Sequence, residues 1–437
     1  MKARTLRLAG GVGVALLGAC RPAPVASMGS ASADASGADD SLRPNAAPLV
    51  APARCRPEQT SFAIEDGGAV DDLAIGDAIP HGDGEAVAVV RRTAAGRVAG
   101  VALVPGDGGT SRVVDLAPTL GDAPPPRLVS RVKDLVAAEY AVTQPGVRGG
   151  GTRELRLYSI AADAVVTPFG SIKEERDDSL AFDLAWGEKR SVVVWDEVAG
   201  ASRGVVRIAG FSDEQRVGSG RDVSPQDSDA DSPRVVPYGN GFMVLWIARS
   251  ADPSGAAADA SDLEAIGEAR AHGWLEMIAV DDQGVPRGPA RRLTPPGGHV
   301  TAFDLLPLGP GPKAVLLAVA RDDGEVVDGS GGALLRVRVA GDVVEPPVAF
   351  VTDGLGRGAP ALVEGVGVSQ PPSLVWIAAH EHLRLLPLDL DGAPGAAPSA
   401  ELALDDARPL MWLAAGRILV ATPSDPSGQL RTFACAR

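Results

Sequence analysis

The chain has 437 residues, a formal net charge of −15, five histidines and three cysteines. Its 45% of hydrophobic residues excludes a wholly disordered protein, and its 53 Gly and 36 Pro exclude a helical bundle. The acidic charge argues against nucleic-acid binding, because a phosphate backbone needs a basic surface. A chain of this length can bury a large core, as one repeat domain or as two ordinary domains.

The first residues have the features of a bacterial export signal. Three positive charges, Lys2, Arg4 and Arg7, precede an uncharged apolar stretch over residues 8–17. At about ten residues this stretch is too short to cross a bilayer, which takes about 20 helical residues. It leads into Leu17-Gly18-Ala19-Cys20, which resembles the lipobox of bacterial lipoproteins.

This resemblance implies that residues 1–19 are a removable signal peptide and that Cys20 is lipidated, which anchors the chain in a membrane. The alternative is ordinary signal cleavage, with Cys20 incidental. Arg21 stands where an Asp would signal retention in the inner membrane, so we expect the bacterial outer membrane. Residues 20–54 are rich in Ala, Pro, Ser, Gly and Asp and are predicted to be a disordered linker spanning about 30 Å.

Residues 55–437 are predicted to form one domain of repeated β-strand units. Short, strongly apolar runs recur along it, and their starts lie 44 to 72 residues apart. A spacing of about 50 residues is typical of the repeats of a propeller or a solenoid. The runs are residues 86–90, 136–142, 192–195, 243–246, 315–319, 374–377 and 418–421.

Each apolar run is flanked by other strand-like segments in a constant order. One strand precedes it, an alternating apolar and polar strand follows it, and a fourth short strand closes the unit; we name the four A, B, C and D. The apolar B strand suits a position buried on both faces. The units predict an all-β fold, a single seven-bladed β-propeller of four-stranded antiparallel blades, and the spacing leaves the count open between six and eight.

The two ends of this domain are predicted to meet. The last unit has no D strand, and a lone strand-like segment, residues 60–65, precedes the first unit. Pairing between that segment and the last unit would close the ring and protect its edges. With Cys20 lipidated, Cys55 and Cys435 remain near the two ends, and an oxidising envelope favours a disulfide between them. The alternative is two unpaired thiols.

The fourth unit carries the clearest family resemblance. Residues 239–246 (GNGFMVLW), followed by residues 274–284, resemble the blade repeats of secreted bacterial β-propeller proteins. The resemblance implies a propeller over most of residues 56–437, and it implies no particular activity.

Two groups of side chains are candidates for binding a metal. Asp227, Asp229 and Asp231 alternate along the chain and could converge on Ca²⁺, but the Gly and Glu of an EF-hand loop are absent at the required places. The alternative is a solvated acidic loop. His380 and His382 flank a predicted hairpin tip, where they are either the start of a metal site or simply solvated. We therefore predict no cofactor and treat Ca²⁺ as the alternative.

Two functions of different classes fit the sequence. The first is a monomeric, non-enzymatic binding or scaffold module in the cell envelope, which meets a protein or glycan through one acidic loop face formed by the long B–C connections. The alternative is a propeller enzyme, a lyase or a lactonase-type hydrolase, with its site at the channel mouth. We expect the first; a gathering of His299, His380, His382 and the Asp227–Asp231 carboxylates at the axis would favour the second.

Replacing Cys20 by Ser should release the protein in soluble form, because acyl chains on this residue are the predicted anchor. Fractionation of cells into membrane and soluble material measures the effect. A Cys55→Ser variant is the control and should stay with the membrane. Retention of the Cys20→Ser variant in the membrane fraction would contradict the lipobox assignment.

Overall fold

The structure is a computed structural model. It describes residues 53–64, 74–94, 96–106, 109–119, 123–131, 134–144, 152–173, 181–199, 203–251, 272–309, 315–324, 332–352, 355–356, 358–364, 372–378, 382–395, 399–403, 408–413, 417–421 and 429–434. The predicted signal peptide, Cys20 and most of the linker lie outside these residues, so those assignments stay predictions.

The described residues contain 30 strands and no helix. The first half of the strands are β1 (Ala53–Arg54), β2 (Arg56–Ile64), β3 (Ala74–His81), β4 (Gly84–Thr93), β5 (Gly96–Val104), β6 (Gly109–Pro118), β7 (Arg127–Ser130), β8 (Asp134–Gln144), β9 (Thr152–Ala161), β10 (Val166–Lys173), β11 (Phe182–Trp186), β12 (Ser191–Ala199), β13 (Arg203–Phe211), β14 (Arg221–Asp222) and β15 (Ser228–Tyr238).

The second half are β16 (Gly241–Ser250), β17 (Trp274–Asp281), β18 (Arg291–Arg292), β19 (Val300–Leu308), β20 (Val315–Asp322), β21 (Ala333–Ala340), β22 (Val343–Val344), β23 (Val348–Val351), β24 (Ala361–Val363), β25 (Ser373–Ala378), β26 (His382–Pro387), β27 (Ala400–Ala403), β28 (Arg408–Leu413), β29 (Arg417–Ala421) and β30 (Gln429–Ala434). No helix among the described residues is long and apolar enough to cross a membrane.

Consecutive strands pair antiparallel, in the A-B-C-D order that the sequence predicts. In the sheet of β15 to β18, for example, Val236 lies opposite Met243 on β16, and Val244 lies opposite Ile278 on β17. The sheets formed by β7–β10 and β11–β14 have the same order. An all-β propeller with four-stranded antiparallel blades is therefore confirmed.

The B strands form the centre of the core because their apolar residues are covered on both faces. The first eight residues of β16 are buried, and Trp246 within it has no exposed surface. Its neighbours come from two sheets: Val194 and Ile208 lie on the preceding sheet and pack in the same cluster as Trp246. Burial of one such large side chain contributes roughly 2–3 kcal/mol, so packing between sheets is the main source of stability.

The prediction of seven blades is wrong, because the described strands form six sheets. The predicted first and last units are not separate: β28, β29, β30 and β2 continue through β6 into β5, β4 and β3, which gives one sheet of eight strands. The link is a parallel pairing in which Phe62 on β2 lies opposite Gly109 on β6. A strand has two edges, and β2 uses both.

The pairing predicted between the N-terminal segment and the last unit is present. β2 runs antiparallel to β30, with Arg56 opposite Ala434 and Phe62 opposite Leu430. Just before it, β1 adds a parallel fifth strand beside β27. The structure shows these pairings and not a closed ring, so closure of the ring stays a prediction.

The Cys55–Cys435 disulfide also stays a prediction, because Cys435 lies outside the described residues. Arg56, the residue after Cys55, pairs with Ala434 on β30. Peptide mapping of exported protein should show a linked pair that disappears on reduction. Loss of the bond should lower the free energy of unfolding by roughly 3–6 kcal/mol. Free thiols at both positions in correctly exported protein would contradict the pairing.

Candidate functional site

Charged residues recur at one position of five consecutive inner strands, the A strands of the sheets. We call this set the charge ladder: Asp77 on β3, Arg127 on β7, Asp183 on β11, Arg234 on β15 and Asp304 on β19. Aspartate and arginine alternate along it from one strand to the next. Their side chains are between 14% and 29% exposed, so they are held by protein but still reach solvent.

Each aspartate of the ladder binds the backbone of the next inner strand. The Oδ2 atom of Asp77 accepts a hydrogen bond from Leu128 N at 3.2 Å, and that of Asp183 accepts one from Val235 N at 2.9 Å. The donor is in both cases the residue that follows the arginine of the ladder. Since β7 and β15 are edge strands of their sheets, these N–H groups have no strand partner, and the carboxylates satisfy them.

The second oxygen of each aspartate faces guanidinium groups. Arg127 Nη1 lies 2.8 Å from Asp77 Oδ1, and Arg127 Nε lies 3.8 Å from Asp183 Oδ1. Arg234 continues the ladder, with Nη1 3.8 Å from Asp183 Oδ1 and Nη2 3.9 Å from Asp304 Oδ1. Asp183 therefore has an arginine on either side, and the ladder has a net charge of −1.

Two members of this network, Arg127 and Asp304, differ in electrostatics. Burial alone would lower the pKa of Arg127, but the charges of Asp77 and Asp183 and the hydrogen bond to Asp77 raise it above its ordinary value. At Asp304, burial raises the carboxyl pKa and outweighs the opposing effects of Arg234, of Arg127 and of the hydrogen bond from Leu362 N. The partners of Asp304 therefore do not fully offset the cost of burying its charge.

The sequence analysis predicts a strand before each apolar run but assigns no role to the charges in these strands, so it missed the ladder. The available signal was the repeated position of the charge: residues 181–186 (AFDLAW) and 302–307 (AFDLLP) share an Asp, and residues 127–129 (RLV) and 234–236 (RVV) share an Arg. One charge within a strand is unremarkable alone, and its recurrence once per unit is the informative feature.

The predicted calcium ligands lie at the start of β15 and just before it. Asp229 Oδ1 accepts a hydrogen bond from Gly204 N at 2.5 Å, and the Asp231 carboxylate pairs with Arg249 Nη1. Two of the three carboxylates are thus held by protein groups on neighbouring strands. No group of three His, Cys, Asp or Glu side chains arranged to hold a metal is found within the described ranges. Calcium binding stays a prediction.

The histidines of the sequence analysis lie apart from this set. His382 Nδ1 contacts the Glu401 carboxylate, which also accepts a hydrogen bond from Arg384 Nε at 3.3 Å. Burial would raise the pKa of Glu401, but His382 and Arg384 together hold it below its ordinary value. His299 instead contacts His272, with the two rings tilted by 45° and their centroids 4.8 Å apart.

His380 lies outside the described residues. The gathering at the axis that would favour an enzyme is therefore not seen in the part of the chain that the structure describes.

Two adjoining cavities of about 520 Å³ each lie on either side of the turn at residues 238–242, which joins β15 to β16. This turn belongs to the short A–B connections, at the opposite ends of the strands from the long B–C loops. Glu188, Lys189 and Arg190 line one cavity, and Arg287 and Arg291 line the other. Most residues of the long loops lie outside the described ranges, so binding at the acidic loop face stays a prediction.

A buried carboxyl group lies in the second blade, away from the ladder. Glu139 on β8 is 1% exposed and its Oε1 accepts a hydrogen bond from the Tyr158 hydroxyl at 3.0 Å. Burial raises the pKa of Glu139 to about 8, against the smaller opposing effects of Tyr158 and Arg156. Burial and the nearby Glu139 also raise the pKa of Tyr158. At neutral pH both groups are neutral, which suits a packed core.

The four-stranded antiparallel sheets described above give the chain the β-propeller fold. Among solved structures, the chain is similar to polysaccharide lyase Uly1 with a TM-score of 0.52 and 9% identity, covering 86% of this chain and 99% of that one. It is also similar to the β-propeller domain of the Trilobed protease from Pyrococcus furiosus, with a TM-score of 0.45, 9% identity and coverage of 83% of this chain and 93% of that one.

A third similar structure is the endo-arabinase from Bacteroides thetaiotaomicron, with a TM-score of 0.38, 13% identity and coverage of 62% of this chain and 95% of that chain. No family model matches the sequence, and no curated protein matches it. At such low identities the likeness shows the fold alone, because one propeller scaffold carries many unrelated sites.

The buried Glu139 predicts a pH dependence of stability. Its pKa is about 8 in the folded state and about 4.5 when unfolded, so the folded state holds the extra proton between these values. The free energy of unfolding should therefore fall as pH rises from about 4.5 to about 8, by roughly 2–4 kcal/mol, and level off above. Urea unfolding from about pH 5 to about pH 9 measures this change.

The Glu139→Gln variant keeps an acceptor for Tyr158 and has no proton to lose, so this component of the pH dependence should disappear. The matched control is Glu154→Gln, which removes a part-buried glutamate that pairs with Arg156 on β9. A Glu139→Gln variant with the wild-type pH profile would show that Glu139 is already ionised in the folded protein.

Proposed function

We propose that this propeller is a monomeric, non-enzymatic binding module of the bacterial cell envelope, anchored by lipid on Cys20 in the outer membrane, and that it recognises positively charged groups. The observation that carries the proposal is the charge ladder. Its carboxylates are part-exposed, lie on consecutive inner strands and are fixed in orientation by backbone hydrogen bonds.

Fixed carboxylates favour binding because they lose little conformational entropy when a ligand associates. A mobile surface Asp must lose side-chain freedom when it pairs, whereas Asp183 and Asp304 already have one oxygen bound to backbone N–H. The other oxygen stays directed at guanidinium groups. The chain as a whole carries a net charge of −15, which attracts cationic partners over a distance of about 10 Å.

The ladder lies within the inner strands, between the long loops at one end and the short A–B turns at the other. Asp183 is the second residue of β11, whereas Arg234 is the seventh of eleven residues of β15. At the start of β15, Ser228 pairs with Ser250, the last residue of β16 before the long insertion. Long connections on a rigid scaffold are common binding surfaces. We therefore propose that a ligand bound at the loop face also reaches the ladder.

A protein ligand suits this site better than a glycan. Lysine and arginine side chains are the ordinary carriers of positive charge in proteins, whereas most sugar units carry none. Recognition of a basic surface by an acidic one would be fast and sensitive to salt. The alternative, a glycan, would depend on stacking against aromatic rings, and Trp195, Trp246 and Trp376 are buried between blades.

Titration of the soluble Cys20→Ser protein with an oligo-arginine peptide tests the proposal. We expect binding that weakens between about 0.05 M and about 0.5 M salt, with no binding of an oligo-glutamate peptide of the same length. Calorimetry measures both. Absence of oligo-arginine binding, or equal binding of the acidic peptide, would contradict a cation-binding function.

Replacing residues 251–271 by a short Gly-Ser linker should leave folding and export intact, because surface insertions cost little free energy to remove. Affinity for the oligo-arginine peptide should fall, since the predicted loop face loses its longest member. The control is Asp213→Asn, which removes an exposed carboxylate paired with Arg131 at the opposite ends of the strands. Unchanged affinity after the loop replacement would place the site elsewhere.

A further inference from the structure

We propose that the position beside Asp304, where the charge ladder ends at Ala361, binds a guanidinium group of the ligand. The inference rests on the proposed function and names the chemical group that its site recognises. It follows from a break in the alternation of Asp and Arg along the inner strands.

Ala361 occupies the ladder position of its strand. In β7 and β15 the residue after the ladder arginine, Leu128 or Val235, donates its backbone N–H to the preceding aspartate. In β24 the same bond exists, because Leu362 N donates to Asp304 Oδ2 at 2.7 Å. The residue before Leu362 is Ala361, so the strand that should contribute the next arginine contributes only a methyl group.

The chain itself shows which group this kind of position accepts. Arg127 places its guanidinium between Asp77 and Asp183, and Arg234 places one between Asp183 and Asp304. Asp304 is the next acceptor in the series, and Arg234 reaches it only at 3.9 Å. A guanidinium from outside would repeat on the far side of Asp304 the contact that Arg234 makes with Asp183.

The electrostatics of Asp304 agree with an incomplete set of partners. Among the described side chains, Asp183 has an arginine within 4 Å on both sides, whereas Asp304 has only Arg234 at that distance and feels Arg127 from farther away. Burial outweighs the effect of both arginines and raises the pKa of Asp304, and a further cation beside the carboxylate would offset it. Because the carboxylate keeps one oxygen for Leu362 N, the incoming group would bind to Oδ1.

A guanidinium fits this chemistry better than an ammonium. It is planar, carries several N–H donors in a fixed fork and is weakly hydrated, so it loses less hydration free energy when it pairs with a part-buried carboxylate. The group could come from an arginine side chain of a protein or from a free small guanidine. The experiment uses a probe for each source.

The test is a titration of the soluble Cys20→Ser protein with three probes, N-acetylarginine amide, agmatine and butylammonium. We expect both guanidinium probes to bind more tightly than butylammonium. Asp304→Asn should weaken guanidinium binding about tenfold or more, because it removes the charge and keeps the acceptor for Leu362 N. Ala361→Arg should abolish binding by supplying the guanidinium from the chain. Asp213→Asn is the control and should bind as the parent does.

The outcomes separate this inference from the proposed function. If the parent protein binds oligo-arginine and Asp304→Asn binds guanidinium probes equally well, the Asp304 position is overturned and the cation-binding function stands. If the parent binds no oligo-arginine, both fail. Ala361 is 6% exposed, so an arginine there could prevent folding; Asp304→Asn then decides alone. Stronger binding of N-acetylarginine amide than of agmatine would identify a protein arginine as the source.

Discussion

The contact on which the arrangement of inner strands depends is a hydrogen bond from an edge-strand backbone to an aspartate of the preceding sheet. β7, β15 and β24 are edge strands, and each would leave an inward N–H group without a strand partner. A buried N–H without an acceptor costs roughly 1–3 kcal/mol. Asp77, Asp183 and Asp304 supply the acceptor, at distances of 2.7 to 3.2 Å. The bond satisfies the edge and also sets the spacing between neighbouring sheets, so the apolar B strands can pack on each other.

The N-terminal segment solves the same edge problem by strand pairing. β2 lies between β30 and β6 and covers an edge of each, while β1 covers β27. A segment of about a dozen residues therefore connects the beginning of the domain to strands from three of the units that the sequence predicts. Both kinds of contact remove exposed edges, which would otherwise be open to pairing with other chains. At the inner edges of β7, β15 and β24, aspartate side chains take the place of a further strand.

Much of the fold could be predicted from the sequence, because it depends on local hydrophobic pattern. The apolar B strands, their antiparallel neighbours and the pairing of the N-terminal segment with the last unit all follow from that pattern. The blade count could not be predicted in this way, because it depends on β2 pairing with β6 as well as with β30. That parallel pairing, with Phe62 opposite Gly109, has no signature in the local sequence. The candidate site was missed for another reason: Asp183 or Arg234 alone looks like an ordinary polar residue in a strand. Their significance comes from neighbouring units, which only a comparison of equivalent positions reveals.

The charge ladder is a poor source of stability, which bears on what it does. Part-exposed ion pairs contribute about 0–1 kcal/mol each, and the pairs at 3.8 and 3.9 Å are longer than the best of these. Removing ions from water also costs energy, so the ion pairs add little net stability beyond the backbone hydrogen bonds that the aspartates accept. The main physical effect of the charges is therefore the electric field that they create along the inner strands. Arg127 pairs closely with Asp77 at one end of the ladder, whereas Arg234 lies 3.9 Å from Asp304 at the other, so the field is most negative at Asp304 and a cation is attracted to that end.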